Sequence, residues 1–283
     1  MTVSAPVGGY GMIIELNGTK LAYDDVAAAD PDSEKKPALV FSHSLCMSRV
    51  MYSSQVEYFS AHRRVVCYDH RGQGWSSRDA AARLDMDTLT ADAAMLIEEL
   101  ELAPCHFVGS AMGGFVALRL AARRPDLLSS AIVMSSSAEE EHRLGPRAEI
   151  LTRATYHGMA GAIDLLMREL FGRAALSESC VDGRFDHWRE RLLKLDSSVK
   201  DAVRGVMYRP GVLTELPNIS IPLLLISGAE DTTYPPEFSD VIAALVEGAR
   251  HVRVEKAGHC VVLEQSDLVN RLIAEHVASC DPA

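Results

Sequence analysis

The chain has 283 residues, 48% hydrophobic and 24% charged, which suits one large α/β domain with an insertion and a substantial core. A net charge of −11 with no offsetting basic block excludes nucleic acid and anionic membrane as expected partners. No stretch approaches the ~18 apolar residues of a membrane span, and Met1-Thr2-Val3-Ser4-Ala5 lacks the basic and apolar runs of a secretion signal, so a cytoplasmic protein is expected.

Short apolar runs predict strands at Met12–Glu15 and Lys20–Asp24. The acidic, proline-containing stretch Ala27–Pro37 then reads as an exposed loop. Strands follow at Ala38–Ser42 and Arg64–Tyr68. Thr88–Leu100 is an amphipathic helix, with Leu89, Ala93, Leu96, Ile97 and Leu100 on one face. After the strand Cys105–Gly109, the residues Gly113, Ala117 and Ala121 recur every four positions, a narrow face that lets a helix approach a sheet closely. Further strands are expected at Leu128–Met134, Leu223–Ser227 and His251–Glu255.

Between residues 138 and 207 the alternation stops, and only helical segments such as Ala162–Leu170 and Phe185–Leu195 are visible. The expected fold class is therefore α/β: a mostly parallel eight-stranded sheet flanked by helices, with a helical cap insertion. The expected division is a core of 1–137 and 208–283 and a cap of 138–207.

The six cysteines (46, 67, 105, 180, 260 and 280) show no pair spacing and read as reduced thiols, Cys67 and Cys105 as small core residues. Without His-x-x-x-His or Cys-x-x-Cys, no metal site is expected.

Residues 107–114 read Phe-Val-Gly-Ser-Ala-Met-Gly-Gly. In Gly-x-Ser-x-Gly, small residues on either side of the nucleophile let the chain turn sharply from strand into helix. Gly109 and Gly113 set that frame, and the nucleophile position then holds Ala111. Taking Ser110 as the nucleophile would put Val108 and Met112 at the flanking positions, where their side chains crowd the turn.

A base candidate, His259, lies in Ala257-Gly258-His259-Cys260 after the last strand. An acid candidate, Asp231, lies in Gly228-Ala229-Glu230-Asp231 after the strand before it, with Glu230 as fallback. The order 111, 231, 259 is nucleophile, acid, histidine. Oxyanion donors are expected at the backbone N–H of Met112, which opens a helix, and of Leu45 in the loop His43-Ser44-Leu45-Cys46. Cys46 and Trp188 are the candidate substrate-binding side chains, and Arg49 or Arg173 could supply a cation for a carboxylated substrate. Asp69-His70-Arg71-Gly72-Gln73-Gly74-Trp75-Ser76 lacks the third glycine of a dinucleotide loop and reads as a tight structural turn.

Together, Val108–Gly114, Asp69–Ser76, Gly228–Asp231 and Gly258-His259 resemble the α/β-hydrolase superfamily from near residue 12 to near residue 279. Ser44-Leu45-Cys46-Met47, Val65–Gly74 and the cap length are most similar to the 3-oxoadipate enol-lactonase group and its esterase and lactonase neighbours. The chain departs from that group at His43-Ser44-Leu45-Cys46, where Asn-Ser-Leu-Gly is usual, and at Gln73, where His is common.

The resemblance implies a cofactor-free hydrolase of a small-molecule ester or lactone, working through an acyl-enzyme. A serine would once have stood at position 111, replaced here by alanine with loss of turnover. The alternatives are a natural pseudo-enzyme that binds a small ligand, and a lyase or cofactor-free oxygenase that uses His259 as a bare base. Composition leaves the oligomeric state open, with a homodimer as the expectation carried.

Overall fold

The computed structural model describes residues 9–30, 36–142, 144–183, 185–196 and 198–281. Its strands are β1 (Gly9–Leu16), β2 (Thr19–Val26), β3 (Leu39–Ser42), β4 (Val65–Tyr68), β5 (Cys105–Ser110), β6 (Leu128–Met134), β7 (Leu223–Gly228) and β8 (Arg250–Val254). All eight expected strands are present, with ends shifted by no more than a few residues. They form one sheet in the order β1-β2-β4-β3-β5-β6-β7-β8. Only β2 runs against its neighbours; the pairs from β4 through β8 are all parallel.

The helices are α1 (Ser53–Phe59), α2 (Met86–Glu99), α3 (Met112–Arg123), α4 (Leu144–Leu170), α5 (Arg173–Asp182), α6 (Asp186–Leu193), α7 (Val199–Met207), α8 (Pro236–Leu245), α9 (Val261–Glu264) and α10 (Ser266–Cys280). Strands β3, β4, β5 and β7 are buried at every residue, the signature of parallel strands covered on both faces. The apolar core accordingly divides into two clusters. One contains Leu89, Ala93, Leu96 and Ile97 of α2 with Phe115, Ala117 and Ala121 of α3. Helix α2 starts one turn before Leu89 because the Asp85 carboxylate caps it, accepting a hydrogen bond from the Thr88 N–H at 2.8 Å.

Between β6 and β7 the described elements are the four helices α4 to α7, with a short 3₁₀ segment at Leu213–Asn218. Helix α4 is broken at Gly158, whose φ of 66° and ψ of 178° are not helical. Leu166 and Leu170 of α4, with Phe171, Phe185, Trp188 and Leu192 beyond it, are buried in the second core cluster. The loop expected at Ala27–Pro37 falls partly outside the described residues.

The register places the site. Ser42 at the end of β3 lies beside Gly109 of β5, and Ser110 lies beside Met134 of β6. The loops that leave β3 and β5 therefore start side by side, next to the point where strand order reverses, which is where open α/β sheets bind ligands.

Candidate active site

The turn after β5 is an elbow. Ala111 has φ 49° and ψ −105°, in the left-handed region that favours glycine. Its N–H donates to the Met134 carbonyl at 2.8 Å, and its carbonyl accepts from the Ser136 hydroxyl at 2.9 Å and the Phe115 N–H at 3.1 Å. Both flanking glycines are forced by close approach: a Cβ on Gly109 would lie 2.1 Å from the Gly113 carbonyl oxygen, and one on Gly113 only 2.0 Å from the Ser42 oxygen. Ser110 is fully buried and its hydroxyl has no partner among the described residues. It does not line the cavity that Ala111 lines.

Two further strand ends bring in the histidine and its carboxylate. His259 Nδ1 lies 3.0 Å from Asp231 Oδ2. The other oxygen, Oδ1, accepts from the N–H groups of Thr233 at 2.8 Å and Tyr234 at 2.9 Å. A carboxylate so fixed calls for the proton on Nδ1 and leaves Nε2 free to accept one. The Tyr234 ring packs on the imidazole with centroids 5.6 Å apart. Glu230, the fallback acid, is turned elsewhere: its Oε2 accepts the Ala174 N–H at 2.9 Å.

A third carboxylate supports this corner and left no mark in the sequence. Glu264 Oε2 accepts the N–H groups of Gly172 at 2.8 Å and Gly258 at 2.9 Å, tying the end of α4 to the loop that carries His259. Burial drives its pKa up to about 7, against the pull of those two N–H groups. The glycines are again needed for contact, since a Cβ on Gly258 would meet the Gly172 nitrogen at 2.2 Å.

The loop after β3 is held by its neighbours. His43 Nδ1 donates to the Ser44 carbonyl at 2.8 Å, while Nε2 accepts the His70 N–H at 3.0 Å. Burial lowers the pKa of both imidazoles, His70 the further, so the pair is neutral. The Cys46 N–H donates to Gln73 Oε1 at 3.1 Å, and Gln73 Nε2 reaches the Met112 sulfur at 3.4 Å. Gln73, a departure from the enol-lactonase pattern, thus links the two loops. The backbone N–H groups of Leu45 and Met112 have no partner among the described residues.

Ala111, His259, Leu45, Cys46 and Met112 line one cavity of about 80 Å³. Leu166, Leu170, Val203 and Val206 close it from the segment between β6 and β7. The Cys46 thiol is pushed up to about 12 by burial, so it stays protonated and is no substitute nucleophile.

The cation at the cavity is Arg147 of α4, hydrogen-bonded to the Tyr234 hydroxyl at 2.7 Å and 3.2 Å from Glu141 Oε2. The expected candidates do not serve. Arg49 is buried between Asp24 and Asp69, and neither it nor Arg173 lines the cavity. Trp188 is also absent from the lining; it is 6% exposed, packs in the core cluster with Phe171 and Phe185, and borders a different cavity.

The turn from Asp69 to Ser76 is built for structure. Asp69 accepts the Arg49 guanidinium and the Trp75 N–H, and a Cβ on Gly74 would meet its carboxylate at 2.2 Å. Arg71, wholly buried, pairs with Asp92 and Asp79.

Residues 39–272 match the model of the alpha/beta hydrolase family. The chain belongs to that family. It is 27% identical over 271 residues to the Mycobacterium tuberculosis protein called "Putative non-heme bromoperoxidase BpoC", covering 92% of this chain and 98% of that one. It is 25% identical over 252 residues to "Putative carbamate hydrolase RutD" of Stutzerimonas stutzeri, covering 88% and 93%. The enol-lactonase structure from Burkholderia xenovorans superposes with a TM-score of 0.84 at 25% identity, over 94% of this chain and all of that one. The family and its nearness to the enol-lactonase group agree with the sequence motifs. Among the described residues, no helix is long and apolar enough to cross a membrane.

Proposed function

We propose that this α/β hydrolase carries the acyl-transfer site of a small-ester or lactone hydrolase, with the nucleophile position filled by Ala111. The observation that carries the reading is the shared cavity. Ala111, Leu45, Met112 and the Asp231-paired His259 all line it, and the backbone N–H groups of Leu45 and Met112 have no partner among the described residues.

With serine at 111, His259 Nε2 takes the hydroxyl proton as Oγ attacks the carbonyl carbon, and the N–H groups of Leu45 and Met112 hold the oxyanion. The imidazolium, stabilised by Asp231, then gives its proton to the departing alkoxide. Water activated by the same nitrogen releases the acid and regenerates the serine. Ala111 offers a methyl group and no attacking atom, which closes this route. The helices between β6 and β7 act as a cap that keeps water from the carbonyl.

The test is Ala111→Ser assayed on small esters and lactones. Losing a triad nucleophile lowers kcat roughly 10⁴- to 10⁶-fold, so the serine form gains a large part of that factor. His259→Ala in the serine form removes the gain. No gain on any small ester or lactone overturns the proposal.

A second reading is favoured by the intact pairing of His259 with Asp231. In it the base acts directly on a water beside Ala111, hydrolysing a small activated carbonyl compound such as a carbamate in one step. Turnover by the alanine form, abolished by His259→Ala and not increased by Ala111→Ser, selects this reading over the first.

A further inference from the structure

A second cavity of about 400 Å³ lies between the turn after β4 and the end of α6, sharing only Cys46 with the site above. Its size is within the range of small-molecule sites. Both tryptophans of the chain line it. Trp188 is buried, but Trp75 is 72% exposed, with the buried Arg49 guanidinium 4.6 Å from its ring centroid. An aromatic ring so exposed forgoes most of the burial that normally justifies it.

The charges sort into two kinds. Arg49 is neutralised by Asp24 and Asp69, and Arg78 by Asp196 across the cavity. Arg191 and Lys194, one turn apart at the end of α6, have no carboxylate partner among the described residues. Arg191 is kept over the cavity by the Trp188 ring, 5.8 Å from its guanidinium, and by the Ser48 hydroxyl at 3.5 Å. Unpaired cations that share a cavity with an exposed indole are unusual on a chain of net charge −11. They suit a flat ring that carries a negative group.

We propose that this cavity is a binding site for a small planar organic anion, an aryl carboxylate or aryl phosphate, separate from the catalytic cavity. Its ring stacks on Trp75, and its anionic group meets Arg191 and Lys194.

Because the only two tryptophans border the cavity, their fluorescence reports its occupancy directly. The probes are benzoate, phenylacetate and phenyl phosphate, with benzamide as the uncharged control, titrated into the full chain. The expected result is saturable quenching by the anions. It weakens as salt is raised toward 1 M, where the Debye length falls to about 3 Å. Arg191→Gln with Lys194→Gln weakens binding at least about tenfold, as Trp75→Ala does with Trp188 as the remaining reporter. Arg147→Gln leaves it unchanged, because Arg147 lines only the catalytic cavity.

No quenching by any of the anions overturns the proposal, as does benzamide binding as tightly as benzoate. Loss of binding in Arg147→Gln also overturns it, since the ligand would then occupy the catalytic cavity. None of these results depends on turnover, so they are independent of the reading of position 111.

Discussion

Replacing Glu264 with glutamine tests whether this carboxyl is held in its neutral form. The side chain is 8% exposed and bridges Gly172 and Gly258, and its pKa rises from 4.5 to about 7 because burial penalises the ionised form. For an acid with a raised folded-state pKa, the unfolded chain releases its proton first. The contribution of Glu264 to stability is therefore greatest below pH 4.5 and falls as pH rises to about 7, above which its loss is complete. At 1.36 kcal/mol per pKa unit the loss comes to about 3 kcal/mol. Glutamine keeps an oxygen for the two N–H groups and has no proton to lose.

Glu264→Gln should thus gain on the natural residue across pH 4.5 to 7. By pH 8 its melting temperature is higher by roughly 6 °C, taking about 2 °C per kcal/mol for a chain of this size. His106 and His276, whose pKa values burial lowers to about 4, weaken the fold as pH falls below 6.5. They are common to both proteins and cancel in the difference. The assay is thermal unfolding of both at matched ionic strength from pH 4.5 to 8. A difference that does not change with pH, or a variant less stable at pH 8, refutes the reasoning.

Two other substitutions probe the frame around the site. Ala111→Gly removes the strain of φ 49°, worth about 1–3 kcal/mol, against the roughly 0.5–1 kcal/mol of added chain freedom; denaturant unfolding should show a net gain near 1 kcal/mol. A loss of stability would mean the elbow is not strained. Asp92→Asn takes one of two carboxylate partners from the wholly buried Arg71, leaving it Asp79, and should cost about 1.5–3 kcal/mol in the same assay. Introduced beside Ala111→Ser, it should leave activity per folded molecule unchanged, because Asp92 lies on α2, away from the cavity.

The sequence by itself determined the sheet and the position of the elbow. Eight runs of strand length became eight strands; for β3, β4, β5 and β7 the reason is burial on both faces of a parallel sheet, which leaves little choice of partner. The elbow was legible because Gly109 and Gly113 must be glycine wherever strand and helix backbones come within 2.0–2.1 Å of a missing Cβ. That same spacing fixed Ala111, not Ser110, at the apex. The side chains around the apex were not legible.

Arg147, Glu264 and Gln73 reach the site from α4, from α9 and from the turn after β4, and none of them carries a local pattern. Arg49 looked like a free cation until the fold placed Asp24 and Asp69 against it. Trp188 looked like a residue of the catalytic cavity until the fold placed it against Phe171 and Phe185, at the edge of a different cavity. Backbone turns are dictated by neighbours in the chain and can be read from it. Which charges are paired and which walls enclose a cavity depends on contacts between distant segments, and only the packed structure decides those.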